Sequence, residues 1–346
     1  MGGGDIDRLP AVGPATGEQL SDAGFDSCLA LAVASPRELS TATDIGEGTA
    51  HDVIQAARDA VDLGEFETGR ALLERRNRIG RISLLDEEVG ALFGGGIETQ
   101  SITEFYGEFG SGKSQFTHQL CVNVQLPETH GGLGGRAIFI DSEDTFRPDR
   151  IESMVRGLPT SVRTALLAQR DIEGGPTDHD TLETLVEDVL DRIHVTKAVT
   201  SDHQTLLAEK AQELASEYAD TGWPVRLVCV DSLVGHFRVE YPGRGKLAER
   251  QQKLNKHLHD LLRIANLYNA GIVVTNQVTA DPDSFFGDPT RPVGGHILGH
   301  ASNVRVYLRK ARGDKRIVRL VDSPNLPDGE AVVRIVEDGI VPEELC

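Results

Sequence analysis

The sequence predicts an α/β chain, a core built on a mostly parallel central sheet and preceded by a small all-α domain. Three observations carry this. From about residue 83 onward, short β-branched or apolar runs alternate with helix-length stretches, the pattern of strands joined by crossover helices. At 107–114 the string GEFGSGKS lies between an apolar run and an amphipathic stretch. Near the start, LPAVGPATGEQLSDAGF (9–25) is echoed by DIGEGTAHDVIQAAR (44–58), each copy a glycine turn followed by a helix. These features divide the chain into a helical domain at 1–62, a linker at 63–82 and the α/β core at 83–346.

In the helical domain Gly13 with Pro14, and Gly46 with Gly48, are expected to form the two turns. Such turns leave backbone N–H groups pointing outward beside a helix N-terminus, where anions are favoured. A module gripping DNA phosphates and a helical bundle contacting a partner both fit these residues. The connector at 64–83 is rich in arginine and reads as too polar for a core element. It leads to Gly94, Gly95 and Gly96, a tight turn. In the core, strands are expected at 102–106, 137–141, 192–196, 226–231, 271–276, 304–309, 317–321 and 331–336. Helices are expected at 115–124, 180–191, 201–219 and 247–269. The last three strands have no helices between them and suggest an antiparallel extension.

GEFGSGKS fits the phosphate-loop pattern at every position: Gly107, Glu108, Phe109, Gly110, Ser111, Gly112, Lys113, Ser114. Glycines let the backbone wrap phosphates with its N–H groups, the lysine adds a point charge, and the serine hydroxyl ligates Mg²⁺. Such a loop needs a second metal partner at a neighbouring strand end, and RLVCVDS ends in Asp231. IFIDSED delivers Glu143, for which a water-polarising base and a solvated carboxylate fit the spacing equally.

The formal net charge is −19, from 54 acidic and 35 basic residues, and only 8 of the basic residues are lysine. Acid-rich, lysine-poor composition suits a halophile's cytoplasm, where molar salt cuts the screening length to about 3 Å and self-repulsion costs little. An ordinary acidic protein from a GC-rich genome fits as well. Residues 236–263 carry seven Lys/Arg against three Asp/Glu, and residues 305–319 seven against one. The positive charge that phosphate contacts require is therefore segregated. The four cysteines are scattered; Cys121 and Cys229 sit in apolar runs as small core residues, and neither a zinc site nor a disulfide framework is indicated. With no membrane-length apolar run and no signal peptide, the expectation is a cytoplasmic protein.

Several strings together resemble the archaeal RadA branch of the RecA/RadA recombinase family. They are GGGIETQSITE, GEFGSGKSQ, DSEDTFRPDRI, DSLVGHFRVEYPGRGKLAERQQKLNKHL, VVTNQV, FFGDPTRPVGGHILGHAS and RVYLRKARGDKR with VDSPNLPDGEA, nearly end to end over 64–340. The resemblance implies a RecA-like ATPase core, a helix-hairpin-helix DNA-binding domain, and ATP and Mg²⁺ as cofactors, with K⁺ as a further candidate. It implies that Lys113, Ser114 and Gln115 serve the nucleotide, that Asp231 supports the metal, that Glu143 is the general base and that Arg150 covers the adenine. Tyr241, Arg244 and Arg250 fall in a first DNA loop, and Gly294 and Gly295 in a second at 279–299. Gln277 and His300 would sense the γ-phosphate. Asp322 and Pro327 would cap the nucleotide of the neighbouring subunit, Asp322 also helping to hold a monovalent cation. Phe66 and Gly69 would dock one subunit on the next.

The implied activity is strand exchange by a helical filament on single-stranded DNA that searches double-stranded DNA, with rings off DNA and recombination mediators as partners. Gly69 stands where the docking motif usually has alanine, and Asp144 where glycine usually follows Glu143. The alternatives are a non-catalytic ATP-binding paralogue and a hexameric helicase or clock-type ATPase.

Overall fold

The computed structural model describes every residue except 1–5, 7–8, 26, 61–66, 85–86, 281–289, 294–297, 300 and 344–346. The chain forms two compact units, Met1–Arg78 and Ile79–Cys346.

The first unit is helical: α1 (Pro14–Asp22), α2 (Cys28–Val33), α3 (Pro36–Ala42), α4 (Glu47–Ala60) and α5 (Gly69–Arg76). Local chemistry sets the starts. Pro14 and Pro36 occupy the first turns of α1 and α3, where no backbone donor is lost. Ser35 and Glu38 form a reciprocal capping box on α3, and Ser27 caps α2. Val53, Ile54 and Ala57 of α4 face Leu20, Leu31 and Leu39, all fully or almost fully buried. The expected second turn is corrected in one respect: Gly48 lies inside the first turn of α4, whose start is marked by the Ala50 N–H bond to Gly46 O at 2.9 Å. A Cβ on Gly13, Gly46 or Gly48 would meet open space, so these backbones are bare on the outside.

The second unit begins with β1 (Arg81–Ile82), α6 (Glu87–Leu92) and β2 (Ile97–Glu98), where β1 and β2 pair antiparallel. The connector is thus not polar to its end. Ile82 is fully buried, because the β1–β2 pair presses it into the core. Gly94, Gly95 and Gly96 all have positive φ, as the tight turn requires. There follow β3 (Ser101–Gly107), α7 (Lys113–Asn123), β4 (Arg136–Asp141), α8 (Pro148–Arg156), α9 (Thr160–Gln169), α10 (His179–Leu190) and β5 (Ile193–Lys197). Next come α11 (Ser201–Glu217), β6 (Val225–Asp231), α12 (Gly235–Glu240), α13 (Leu247–Tyr268) and β7 (Gly271–Ala280). The chain ends with β8 (Thr290–Pro292), β9 (Val304–Lys310), β10 (Lys315–Asp322), β11 (Gly329–Val336) and β12 (Gly339–Pro342).

The strand order is β12-β11-β10-β9-β3-β7-β6-β4-β5, with β8 paired to β7. From β9 to β5 every pairing is parallel, and β10 to β12 add the antiparallel extension. Alternation along each strand feeds two cores, one per face. Phe105, Phe139 and Cys229 pack with α7 to α10, and Ile138, Ile140 and Val230 pack with α11 to α13. Cys121 and Cys229 are fully buried, as their apolar settings suggested. No described helix is long and apolar enough to cross a membrane.

His257 of α13 is fully buried in the second core, its Nδ1 without a hydrogen bond, and burial, helped by the Lys256 charge, pushes its pKa down to about 4. The unfolded chain protonates it near pH 6.5, so its contribution is fully present above that pH and is lost as pH falls towards 4. The loss approaches about 3 kcal/mol. Urea unfolding at fixed molar KCl, from neutral to acid pH, should show His257→Gln with a shallower pH slope than the parent, by about one proton. Equal slopes would contradict this.

Candidate nucleotide site

The site is built at the carboxyl ends of β3, β4, β6 and β7, where open parallel sheets place their ligand crevices. Strand β3 is buried along its whole length and delivers the loop 107–112 to α7. Sterics require its glycines. A Cβ at Gly107 would collide with Leu308 O, and Gly110 and Gly112 have φ of +72° and +106°. Helix α7 has no side-chain cap, so its first N–H groups remain available to an anion. Ser111 Oγ is buried without a hydrogen bond, and Lys113 Nζ donates to Gly107 O and Glu108 O, both at 3.0 Å. Burial pushes the Lys113 pKa down, against the attraction of Asp231 and Glu143. Glycine cradle, uncapped helix and orphaned hydroxyl together suit a polyphosphate.

Asp231, 2% exposed, ends β6. Burial pushes its pKa up, and hydrogen bonds from Ser114, Thr275 and Thr145 work against this, the last at 3.1 Å. A buried carboxylate beside a serine hydroxyl is a donor set that fits a hard divalent cation. Glu143 follows β4. Asp141 braces that turn by accepting from the N–H groups of Glu143 and Thr145 at 3.1 Å and of Phe146 at 2.9 Å. Glu143 Oε1 accepts from Ser232 Oγ at 2.7 Å and from Gln277 Nε2 at 2.9 Å. Asp144, the residue in the place of a usual glycine, has φ of +59°, a conformation Asp tolerates, and pairs with Lys197 at 3.0 Å. The structure thus brings Lys113, Ser114, Glu143, Asp231 and Gln277 together.

Arg150, in the first turn of α8, donates to Gln115 Oε1 and to Val336 O, both at 2.7 Å, and to Glu337 O. It joins α7 to the β11–β12 turn at the flank of the loop. Asp322 and Pro327 lie elsewhere. Since β10 runs antiparallel to β9, Lys310 pairs with Arg316 near the phosphate loop while Asp322 pairs with Arg305 at the far end. Both are exposed. Phe109 is 97% exposed. The Tyr241 ring is buried, with Lys253 Nζ 5.1 Å and Lys246 Nζ 5.6 Å from its centroid. Arg250 lies in the first turn of α13. Phe66, Gly294, Gly295, His300 and the Arg244 side chain lie outside the described residues. Gly69 begins α5, capped by Thr68, and a Cβ there meets nothing.

The basic stretches are partly committed. Lys253 pairs with Asp202 at 2.7 Å and Arg305 with Glu104 at 2.8 Å. Lys310 and Arg316 lie against Gly110 and Gly112, beside the phosphate loop. Sequence reasoning missed His118, whose Nδ1 meets Ser114 O, whose Nε2 accepts from Arg147 N at 3.1 Å, and whose ring stacks on Phe146 at 5.1 Å. Its signal was its place one turn after Ser114 in a helix without an apolar stripe. Thr145, Thr275 and Ser232 were missed as well; Ser232 and Thr145 follow the ends of β6 and β4, and Thr275 lies within β7 beside Asp231.

The Rad51 family pattern matches residues 75–165 and 180–343. The chain belongs to the Rad51 family. A SAM-like helix-hairpin-helix tandem matches residues 4–59. This Rad51-family chain is 64% identical over 339 residues, covering 98% of itself and 99% of the relative, to the DNA repair and recombination protein RadA of Haloquadratum walsbyi. The RadA of Haloferax volcanii is similar to the same extent. That of Methanoculleus marisnigri is 51% identical over 98% of both chains.

Proposed function

We propose that this chain is an ATP-dependent DNA strand-exchange recombinase that forms helical filaments on single-stranded DNA at molar salt. The observation that carries the reading is Gln277. Its side chain holds Glu143 at 2.9 Å, and its carbonyl accepts from Val293 N at 2.9 Å, so one residue touches the nucleotide site and the segment leading from the second loop. Lys113 and the loop N–H groups would hold the ATP phosphates, with Mg²⁺ between Ser114 and Asp231. When bound, the metal supplies neutralisation of phosphate charge. Glu143 would accept the proton of the attacking water, oriented by Ser232 and Gln277. The convergence of these groups favours the catalytic reading over a non-catalytic paralogue.

Three surfaces support assembly. Phe109 projects from the phosphate loop, β5 is an open sheet edge flanked by exposed Val195, Val199 and Leu206, and Asp322 with Pro327 sits at the end of the sheet away from its own nucleotide. A second subunit would cover the first two and receive the third as a cap over its ATP, with K⁺ held at Asp322. Phe66 and Gly69 would dock subunits in series. Gly69→Ala, which meets no obstacle within the chain, should lengthen filaments seen by electron microscopy; shorter ones would count against this docking role. Phosphate contacts would come from the bare turns at Gly13 and Gly46, from Arg244, Arg250 and the Tyr241-anchored loop, and from Gly294 and Gly295. His300 would join Gln277 in sensing the γ-phosphate. Mediators would load the filament, in the cytoplasm.

The test is ATP hydrolysis with and without single-stranded DNA, in KCl from about 0.1 to about 3 M. Stimulation that peaks at molar salt supports the reading. Indifference to DNA at every salt overturns it.

A further inference from the structure

Glu104 lies in β3, three residues before the phosphate loop, with no exposed surface. A buried carboxylate is costly unless every oxygen is partnered. Its Oε2 accepts from Arg305 Nε of β9 at 2.8 Å, and its Oε1 from Asn276 Nδ2 of β7 at 2.7 Å. The same Asn276 nitrogen donates to Val293 O at 2.5 Å. Both of its partners are acceptors, so the amide orientation is fixed, and Asn276 Oδ1 is left buried without a hydrogen bond. An apolar trio would fill this space without an ion pair or an orphaned oxygen, so stability alone does not account for the arrangement.

Position does account for it. Asn276 and Gln277 are consecutive in a strand and point to opposite faces. One reaches into the buried network and the other reaches Glu143. Val293 is gripped by both, its carbonyl by the Asn276 side chain and its N–H by Gln277 O at 2.9 Å. Glu104 and Arg305 sit in neighbouring parallel strands paired directly at these two residues, which makes them a rigid anchor. A pull on Val293 must therefore move the end of β7 and with it Gln277.

We propose that Asn276, anchored by the Glu104–Arg305 pair, is the positioning residue through which DNA held beyond Val293 sets Gln277 against Glu143. The proposal rests on the reading of DNA-stimulated ATP hydrolysis. It distinguishes Asn276 from the residues that touch nucleotide, since neither of its described side-chain hydrogen bonds reaches the phosphate loop.

The test compares full-length parent, Asn276→Ala and Asn276→Asp, reading KM for ATP, turnover with and without single-stranded DNA, and thermal unfolding. Asn276→Ala should keep its KM and unstimulated turnover within about twofold while stimulation falls about tenfold. Asn276→Asp places a second carboxyl against Glu104, in surroundings whose other described titratable groups include Arg305 and Tyr106, with Tyr307 and Arg319 beside Tyr106. A proton taken up by the new carboxyl gives it back one donor for Val293 O, so its stimulation, relative to the parent at each pH, should recover in part as the pH is lowered. If Asn276→Ala does not fold, this isosteric variant decides alone. Unchanged stimulation in Asn276→Ala, a parallel loss of unstimulated turnover, or a pH-independent deficit in Asn276→Asp would each overturn the proposal. An unstimulated parent removes the functional reading itself, and the relay with it.

Discussion

Glu143→Gln should lower ATP turnover by about 10²- to 10⁴-fold while ATP and DNA are still bound. The amide keeps the size of the side chain and an oxygen able to accept from Ser232 and Gln277, which now lie at 2.7 and 2.9 Å from Glu143 Oε1. It cannot take a proton. The Asp141 brace and the Ser142–Ser232 bonds do not involve the Glu143 side chain, so the turn should keep its shape. Phosphate release measured beside ATP-dependent DNA binding separates the two effects. Turnover within about threefold of the parent would remove Glu143 from the role of base.

Lys113→Ala should act one step earlier and weaken ATP binding. The Lys113 ammonium bonds the loop carbonyls of Gly107 and Glu108 and is attracted by Asp231 and Glu143. Its removal leaves the acidic pair without the charge it attracts, facing the incoming phosphates. Truncating one side of a desolvated charge pair costs about 2–5 kcal/mol, so KM for ATP should rise by roughly 30- to 5,000-fold. ATP-dependent filaments should vanish in Lys113→Ala and persist in Glu143→Gln. That contrast separates binding from chemistry, and similar KM values in the two variants would contradict it.

Most of the core was legible because its signals are local. Every strand foreseen from 102 to 336 is present within two residues at each end, apart from β7, which continues to Ala280 by pairing with β8. That extension needs a partner from Thr290–Pro292, a non-local contact that no run of residues announces. Helices α8 and α9 were not foreseen. Pro148 and Pro159 punctuate the segment, and the apolar face of α8, Ile151, Met154 and Val155, is too short to declare its period. In the site, the motif named Lys113 and Ser114 and the strand end Asp231, while Thr275, Thr145 and Ser232 are recruited from separate strands and turns by the fold, and His118 acts from α7 itself. Charge was the least faithful guide. Arg305 counts as a basic residue in a DNA-like stretch, yet its guanidinium is spent on buried Glu104.

The central claim is strand exchange, and one reaction tests it most directly. Labelled single-stranded DNA, ATP and Mg²⁺ are incubated with the protein in molar KCl and offered either a homologous or an unrelated duplex. The account predicts labelled joint products with the homologous duplex only, and none for Lys113→Ala. ATP hydrolysed on DNA without any homologous product would contradict it.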